Sequence, residues 1–226
     1  MKTRIITMKS EGICKYCNKG FSGQAMTRHI LSCTDRKNKL AKEQNQDFQD
    51  KVFLIRANEG PFFLYFEASA TSTLKDMDSF LRDIWLECCG HLSLFKIENV
   101  NYDSGGSVEI FDGNKSKTMD AQLRKVLKVN RAFEHEYDFG STTHLDLKVI
   151  SERQGGLKNI DIIARNNMPD FKCECGKPAK EICAECVYEG KGLLCEECAK
   201  NHNCEEEMLL PLVNSPRTGV CGYTGD

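Results

Sequence analysis

No run of apolar residues in this 226-residue chain approaches the roughly 18 to 20 that a membrane-spanning helix needs. No apolar stretch of about 7 to 15 residues follows the basic residues of its opening MKTRIITMKSEGICKYC, as a secretory leader would require. A soluble, cytoplasmic protein with no membrane partner is expected. There is no internal repeat of whole domains, and no nucleophile elbow, P-loop, dinucleotide fingerprint or HExxH, so the usual enzyme signatures are missing. The odd number of cysteines, thirteen, argues against a closed disulfide framework, so their spacing must decide their role. The chain also lacks a strong net charge, its formal value being -2. That figure hides a polarity. Residues 1–42 carry ten Lys/Arg against two acids, and residues 170–210 carry ten acids against five Lys.

The cysteines fall into three groups: Cys14, Cys17 and Cys33 near the start, Cys88 and Cys89 in the middle, and eight between Cys173 and Cys221. In the first group, two residues separate Cys14 from Cys17, eleven lead on to His29, and three more lead to Cys33. A C-x(2)-C turn places two sulfurs on one face of a tetrahedron, and His29 and Cys33, four apart on a helix, supply the other two ligands. Phe21 is the expected apolar plug. The pattern resembles a two-Cys two-His zinc finger with the last His replaced by Cys. Basic Lys15, Lys19, Arg28, Arg36, Lys37 and Lys39 are candidates for nucleic-acid phosphates, although one finger reads only about three base pairs and is poorly suited to sequence-specific binding alone.

The last group runs Cys173, Cys175, Cys183, Cys186, Cys195, Cys198, His202 and Cys204: four close pairs, enough for two zinc ions. The segment has few large apolar residues, so metal is expected to stand in for a core. Spacing alone allows sequential or interleaved pairing. The ladder resembles the cross-braced B-box and MYND modules, which are mostly protein-interaction units, and this resemblance implies interleaving, with the first and third pairs on one zinc. The one-residue gaps in the first and last pairs depart from the commonest spacing. Sites closed by four protein ligands leave no open position for substrate, so catalysis there is not expected. Cys221 is a ninth candidate that could replace one of the eight, and is expected as a free structural thiol. Three zincs per chain follow from the ligand count. Their thiolates and ions together move the terminal charges only from +8 to +7 and from -5 to -8, which preserves the polarity.

Between the outer groups lies a block of mixed α and β pattern, joined to the finger by Asp35–Lys51, which reads as a solvated helix or a flexible tether, the tether being expected. Val52–Arg56 and Phe62–Glu67 flank Asn58–Pro61, a hairpin signal. Thr73 and Asp76 form a capping box before Met77, Phe80, Leu81, Ile84, Trp85 and Cys88 at helical spacing, with Gly90 as the stop. Leu94–Tyr102 and Val108–Phe111 are predicted strands about a turn at Asp103–Gly106, and Met119–Leu127 a helix capped by Thr118. Leu145, Leu147 and Val149 alternate with polar residues as a half-buried strand does, and Ile160–Ala164 is a further short strand. Cys88 and Cys89, at a helix end, are expected as buried small hydrophobes because neighbours on a helix point about 100° apart.

Two stretches of this block, TLKDMDSFLRDIWLECCGHLSLFKI (73–97) and EHEYDFGSTTHLDLKVI (134–150), resemble the plasmid pRiA4b ORF-3-like family, found in bacteria and archaea and among passenger proteins of some insertion elements. The resemblance covers about residues 51–165. A variant with an N-terminal finger and a Cys-rich tail ending in NSPR-x-GVCGYTG looks similar along the whole chain. It implies an α+β fold with a mixed sheet and no general activity. Many members carry an acid and a Trp after the YDFG turn; Ser141, Thr142 and Thr143 stand there instead, so no role of those residues carries over. Tyr137–Gly140 is expected as a tight turn, with Asp138 bonding backbone amides and Gly140 taking a positive φ.

The resulting expectation is an α+β protein: a central mixed-sheet domain with two main helices (51–168), flanked by a zinc-finger arm (1–42) and a Cys-rich double-zinc module with its tail (169–226). Its expected function is that of a non-enzymatic zinc-binding adaptor, its basic finger contacting nucleic acid and its acidic module contacting a protein. The alternative is an enzyme with an acid-base site in the central domain, using His144 with Asp138 or Glu134, and with His91 and His135 nearby.

Overall fold

Ten strands join in one sheet because nearly every apolar run in the first three quarters of the chain either alternates or is buried on both faces. The computed structural model describes residues 10–43, 50–105 and 116–225. In chain order, β1 (Glu11–Cys14), β2 (Gly20–Ser22), α1 (Gly23–Ser32) and α2 (Thr34–Glu43) come first. The central segment contributes β3 (Lys51–Glu59), β4 (Phe62–Ser69), α3 (Leu74–Leu81) with a π turn at Arg82–Leu86, β5 (Ser93–Ile97), β6 (Val100–Asp103), β7 (Lys117–Thr118), α4 (Leu123–Val126), β8 (Ala132–Tyr137), β9 (Thr143–Gln154) and β10 (Asp161–Asn166). The last quarter holds β11 (Glu181–Cys183), β12 (Leu193–Leu194), α5 (Glu196–Lys200) and β13 (Leu209–Pro211).

The large sheet has the order β2-β1-β10-β4-β3-β9-β8-β5-β6-β7, and β11 lies between β12 and β13 in a small separate sheet. Pairing in the large sheet is antiparallel except between β6 and β7, which makes it mixed, and the fold is α+β. The finger is therefore continuous with the sheet through β1 and β10, with Gly12 opposite Asn166. A Cβ on Gly12 would collide with the Arg165 carbonyl and the Phe63 ring, so the close seating of β1 requires glycine.

Strand β4 is buried at all eight positions. Phe62, Leu64, Phe66 and Ala68 face one core, with Leu74, Met77, Leu81 and Trp85 from the α3 region. Phe63 and Tyr65 face another, with Met26 and Ile30 of α1. Period-two alternation thus distributes one strand between two apolar layers.

The β3–β4 hairpin and the Thr73–Asp76 capping box form as expected, the Thr73 hydroxyl accepting from the Asp76 amide at 3.1 Å. Leu145, Leu147 and Val149 point into the core from β9. Several expectations need correction. Thr34–Glu43 is helical rather than a tether, with Arg36 drawn under the sheet by Glu67, and residues 44–49 of that stretch lie outside the described residues. The α3 helix passes into the π turn and ends at Leu86, four residues ahead of Gly90. Leu94–Tyr102 is broken into β5 and β6 by a tight turn where Glu98 takes φ 56°. The second helix shrinks to α4, with Gln122 rather than Thr118 at its cap. The strand expected at Val108–Phe111, and Gly106 of the expected turn, lie outside the described residues. No helix among the described residues is long and apolar enough to cross a membrane.

Candidate metal centres

The first ligand pair is made by a knuckle between β1 and β2. The Asn18 amide donates to the Cys14 carbonyl at 2.9 Å and the Cys14 amide to Lys19 at 3.0 Å, while Asn18 takes φ 55°. The second pair comes from α1, whose last turn holds His29 and whose C-cap is Cys33. Ser22 caps the start of α1. The ligand atoms of Cys14, Cys17, His29 and Cys33 all lie within 4.8 Å of one another, with 3.3 Å between Cys17 Sγ and His29 Nε2. Phe21 stacks on the His29 ring at 3.8 Å between centroids. Burial, helped by the nearby Lys19 charge, lowers the His29 pKa, which favours the neutral imidazole that a metal ligand must be.

In the last quarter, the structure groups the first Cys pair with the third and the second with the fourth. Cys173, Cys175, Cys195 and Cys198 make one set, and Cys183, Cys186, His202 and Cys204 the other, each with its ligand atoms within 4.8 Å. Within them, Cys175 and Cys195 sulfurs are 3.6 Å apart, and Cys186 Sγ lies 3.5 Å from both His202 Nε2 and Cys204 Sγ. Strand β11 ends at Cys183, and α5 begins just after its N-cap Cys195 and carries Cys198, so the small sheet and helix hold the ladder in register.

Backbone amides of Cys175 and Cys195 pull the Cys173 thiol down to about 6. Burial opposes ionisation of Cys183, yet the amides of Cys186 and Glu185 bring it to about 7. The last thiol in each set is the costly one: Cys198, crowded by Cys173 and Cys195, and Cys204, crowded by Cys186, are pushed up to about 12. Such crowding of sulfurs is relieved by a cation that accepts their charge. The donor chemistry of all three sets, thiolate and imidazole in fours, can hold a metal ion.

Sequence reasoning missed a fourth convergence. Cys88 and Cys89 are not buried hydrophobes; Cys88 is half-buried, Cys89 exposed, and both gather with His91 and Cys221. Because the helix ends at Leu86, the 100° divergence of helical neighbours does not apply, and the two sulfurs sit 3.5 Å apart. No spacing rule links Cys221 to residues about 130 positions earlier.

The basic candidates divide. Arg36 is only 7% exposed and bonded to the buried Glu67, which also holds Arg153, so it serves the fold and is not free for a phosphate. Lys15 pairs with Asp161. Lys19, Arg28, Lys37 and Lys39 are exposed, Lys39 lying 5.7 Å from the Tyr16 ring. The first turn of α1 is fastened to the sheet, the Tyr65 hydroxyl sitting 2.6 Å from Thr27 Oγ1 and 3.1 Å from the Gly23 carbonyl.

His144 meets neither Asp138 nor Glu134, although His91 Nε2 lies 3.7 Å from Asp138 Oδ2. His135 is fully buried and bonded to Asp78 at 2.7 Å, whereas exposed His144 lies 3.2 Å from Glu136, and Glu134 faces solvent. Asp138 is engaged at 2.6 Å by Arg217, which is wholly buried and also donates to Thr143 Oγ1 at 3.0 Å and to the Ser141 carbonyl at 3.1 Å. In the YDFG turn it is Asp138, at φ 64°, that takes the left-handed conformation expected of Gly140, and its carboxylate accepts from the Gly140 amide. A cleft of about 400 Å³ beside the π turn is lined by Lys75, Asp78, Arg82, Asp83, Glu87 and Asp103, and contains neither His144 nor Asp138.

No protein-family model matches the chain. No curated protein matches it either. Among solved structures, it is similar to one described as a protein of unknown function, MM3350 from Methanosarcina mazei Go1, with 16% identity over 50% of this chain and 68% of that one and a TM-score of 0.43.

Proposed function

We propose that the chain is a non-enzymatic adaptor stapled by zinc, which presents a basic finger face to nucleic acid and an acidic, doubly ligated module to a protein partner. One observation carries this reading: each of the three anticipated ligand sets converges as a closed group of four protein donors. A filled tetrahedron has no position left for substrate or water, so such a centre shapes a surface and does not catalyse. Three zincs, one per set, follow. Zinc held by thiolates needs reduced cysteines, which suits a cytoplasmic, reducing compartment.

The two charged ends support the division of labour. Lys19, Arg28, Lys37 and Lys39 remain free to meet phosphates, in backbone contact rather than base reading, since the start of α1 is fastened to the sheet. On the acidic module, Tyr188 is 64% and Met208 37% exposed amid Glu185, Glu189, Glu205, Glu206 and Glu207, a mixture of apolar anchor and charge suited to a basic protein surface. Membership of the pRiA4b ORF-3-like family, with its link to insertion elements, belongs to the same reading. It rests on the two stretches that carry the resemblance, which meet where the Tyr137 hydroxyl accepts from the Cys88 and His91 amides at 3.4 and 3.3 Å.

Elemental analysis of the purified, untagged chain tests the staple; absence of bound metal ends the adaptor reading. A short duplex or single strand should bind with an affinity that falls steeply as salt rises, and falls again when Lys19, Arg28, Lys37 and Lys39 are neutralised. Binding that is absent or indifferent to salt removes the nucleic-acid arm.

A further inference from the structure

The C-terminal tail is part of the central domain. Ser215 Oγ donates to the Trp85 carbonyl at 2.6 Å, Arg217 fills the space beneath the YDFG turn, and Asn214 exchanges side-chain and backbone bonds with Asn166 at 2.7 Å. This docking delivers Cys221 to the loop that follows the π turn. There, Cys89 Sγ lies 3.5 Å from Cys88 Sγ, 3.4 Å from His91 Nε2 and 3.6 Å from Cys221 Sγ, and His91 Nε2 lies 3.3 Å from Cys221 Sγ. All four donors fall within 4.8 Å. A tetrahedral zinc with sulfur at about 2.3 Å and nitrogen at about 2.0 Å has edges of roughly 3.5 to 3.8 Å. The spacing therefore matches ligands around one ion, whereas a disulfide needs about 2.05 Å.

The backbone repeats a device found at two of the other ligand pairs, where a left-handed residue follows the second cysteine: Asn18 after Cys17 at φ 55° and Gly176 after Cys175 at φ 83°. Here, Gly90 follows Cys89 at φ 74°, and Gly222 follows Cys221 at φ 67°. Cys221 itself is held at φ 51°, a conformation that L residues adopt only when the surroundings impose it. An outer layer is also present. Arg217 Nη2 approaches Cys88 Sγ at 3.4 Å, as a cation outside a thiolate ligand does.

From this geometry, we propose that Cys88, Cys89, His91 and Cys221 form a fourth zinc site, which clasps the tail to the central domain. Its role differs from that of the other three: each of those shapes the local module that supplies its ligands, whereas this one joins two stretches distant in sequence. Cys89 and Cys221 are exposed, so its ion is the first that a chelator removes.

The test is zinc counting on the full-length chain by native mass spectrometry and elemental analysis. The wild type should hold four zincs, and both Cys221→Ser and His91→Ala should hold three, with accelerated proteolysis between residues 213 and 225 and an unchanged far-ultraviolet spectrum. Titration of the zinc-free wild type with Co²⁺ supplies a readout independent of any variant: four equivalents should develop thiolate charge-transfer absorption. A wild type that saturates at three, or variants that keep four, overturns the clasp while leaving the adaptor reading intact. No bound metal at all overturns both. A mass 2 Da lower, from a Cys89–Cys221 disulfide in material prepared under reducing conditions, also overturns it.

Discussion

The finger and the double-ligand module use the same chemistry against different backgrounds. The finger rests on a large sheet: β1 is hydrogen-bonded to β10, Met26 and Ile30 are buried against Phe63 and Tyr65, and Arg36 shares Glu67 with Arg153. The module has a three-stranded sheet and a small buried cluster of Cys183, Leu194 and Ala199, and touches the main core through Phe171, Ala179, Leu193 and Leu212. A metal bound in the first would supplement hydrocarbon and ion pairing. In the second, it would replace a core that the composition cannot build.

The sharpest way to break this contrast is to strip the metal. Structural zinc contributes an apparent ~10–16 kcal/mol in small finger peptides, so chelation should abolish hydrogen-exchange protection throughout residues 173–210. The amides of α1 should retain partial protection, because the sheet still covers Met26 and Ile30; equal loss in both regions would show the finger to be as metal-dependent as the module.

Next in size is Glu67→Gln, which leaves two guanidiniums without their shared carboxylate and should destabilise finger docking by about 3 kcal/mol or more, read by denaturant unfolding. Burial alone would raise the Glu67 pKa, but Arg153 and Arg36 more than offset it and hold the group below its ordinary 4.5. A carboxylate depressed in the folded state stabilises the fold above its unfolded pKa, and that contribution is lost as pH falls through the lower folded value. The stability difference between wild type and Glu67→Gln should therefore be constant above about pH 5 and shrink in acid. A difference that grows in acid would contradict the assigned pairing.

Ile30→Ala should cost about 2–5 kcal/mol by opening a cavity between α1 and the sheet while the Cys14 set still binds metal, as zinc content and unfolding together would report. The smallest effect belongs to Lys19, Arg28, Lys37 and Lys39. Their neutralisation should change unfolding by no more than about 0.5 kcal/mol, so any larger shift would mark them as parts of the fold.

Legibility along the chain followed the range of the interactions. Local signals carried the hairpin at Asn58–Pro61, the Thr73–Asp76 cap and the alternation in β9. Strand β8 went unnoticed although Phe133, His135 and Tyr137 alternate inward, because His135 reads as polar until its bond to Asp78 is seen. The left-handed Glu98 that splits β5 from β6 carries no composition signal. Close Cys pairs were legible as ligands, since each pair is set by two or three intervening bonds of chain. Arg36, an apparent phosphate contact, and Cys221, an apparent spare thiol, owe their positions to residues far away in sequence, and no window along the chain contains the partner.

The side chain of Arg217, enclosed against Asp138, Thr143 and Tyr137, also sets the order of events at the ribosome. The finger's ligands all emerge early, and its helix can close around them at once. The YDFG corner, by contrast, has no cationic filling until the segment beyond β13 leaves the exit tunnel. The middle of the molecule therefore completes its packing only after the cysteine ladder downstream has been translated.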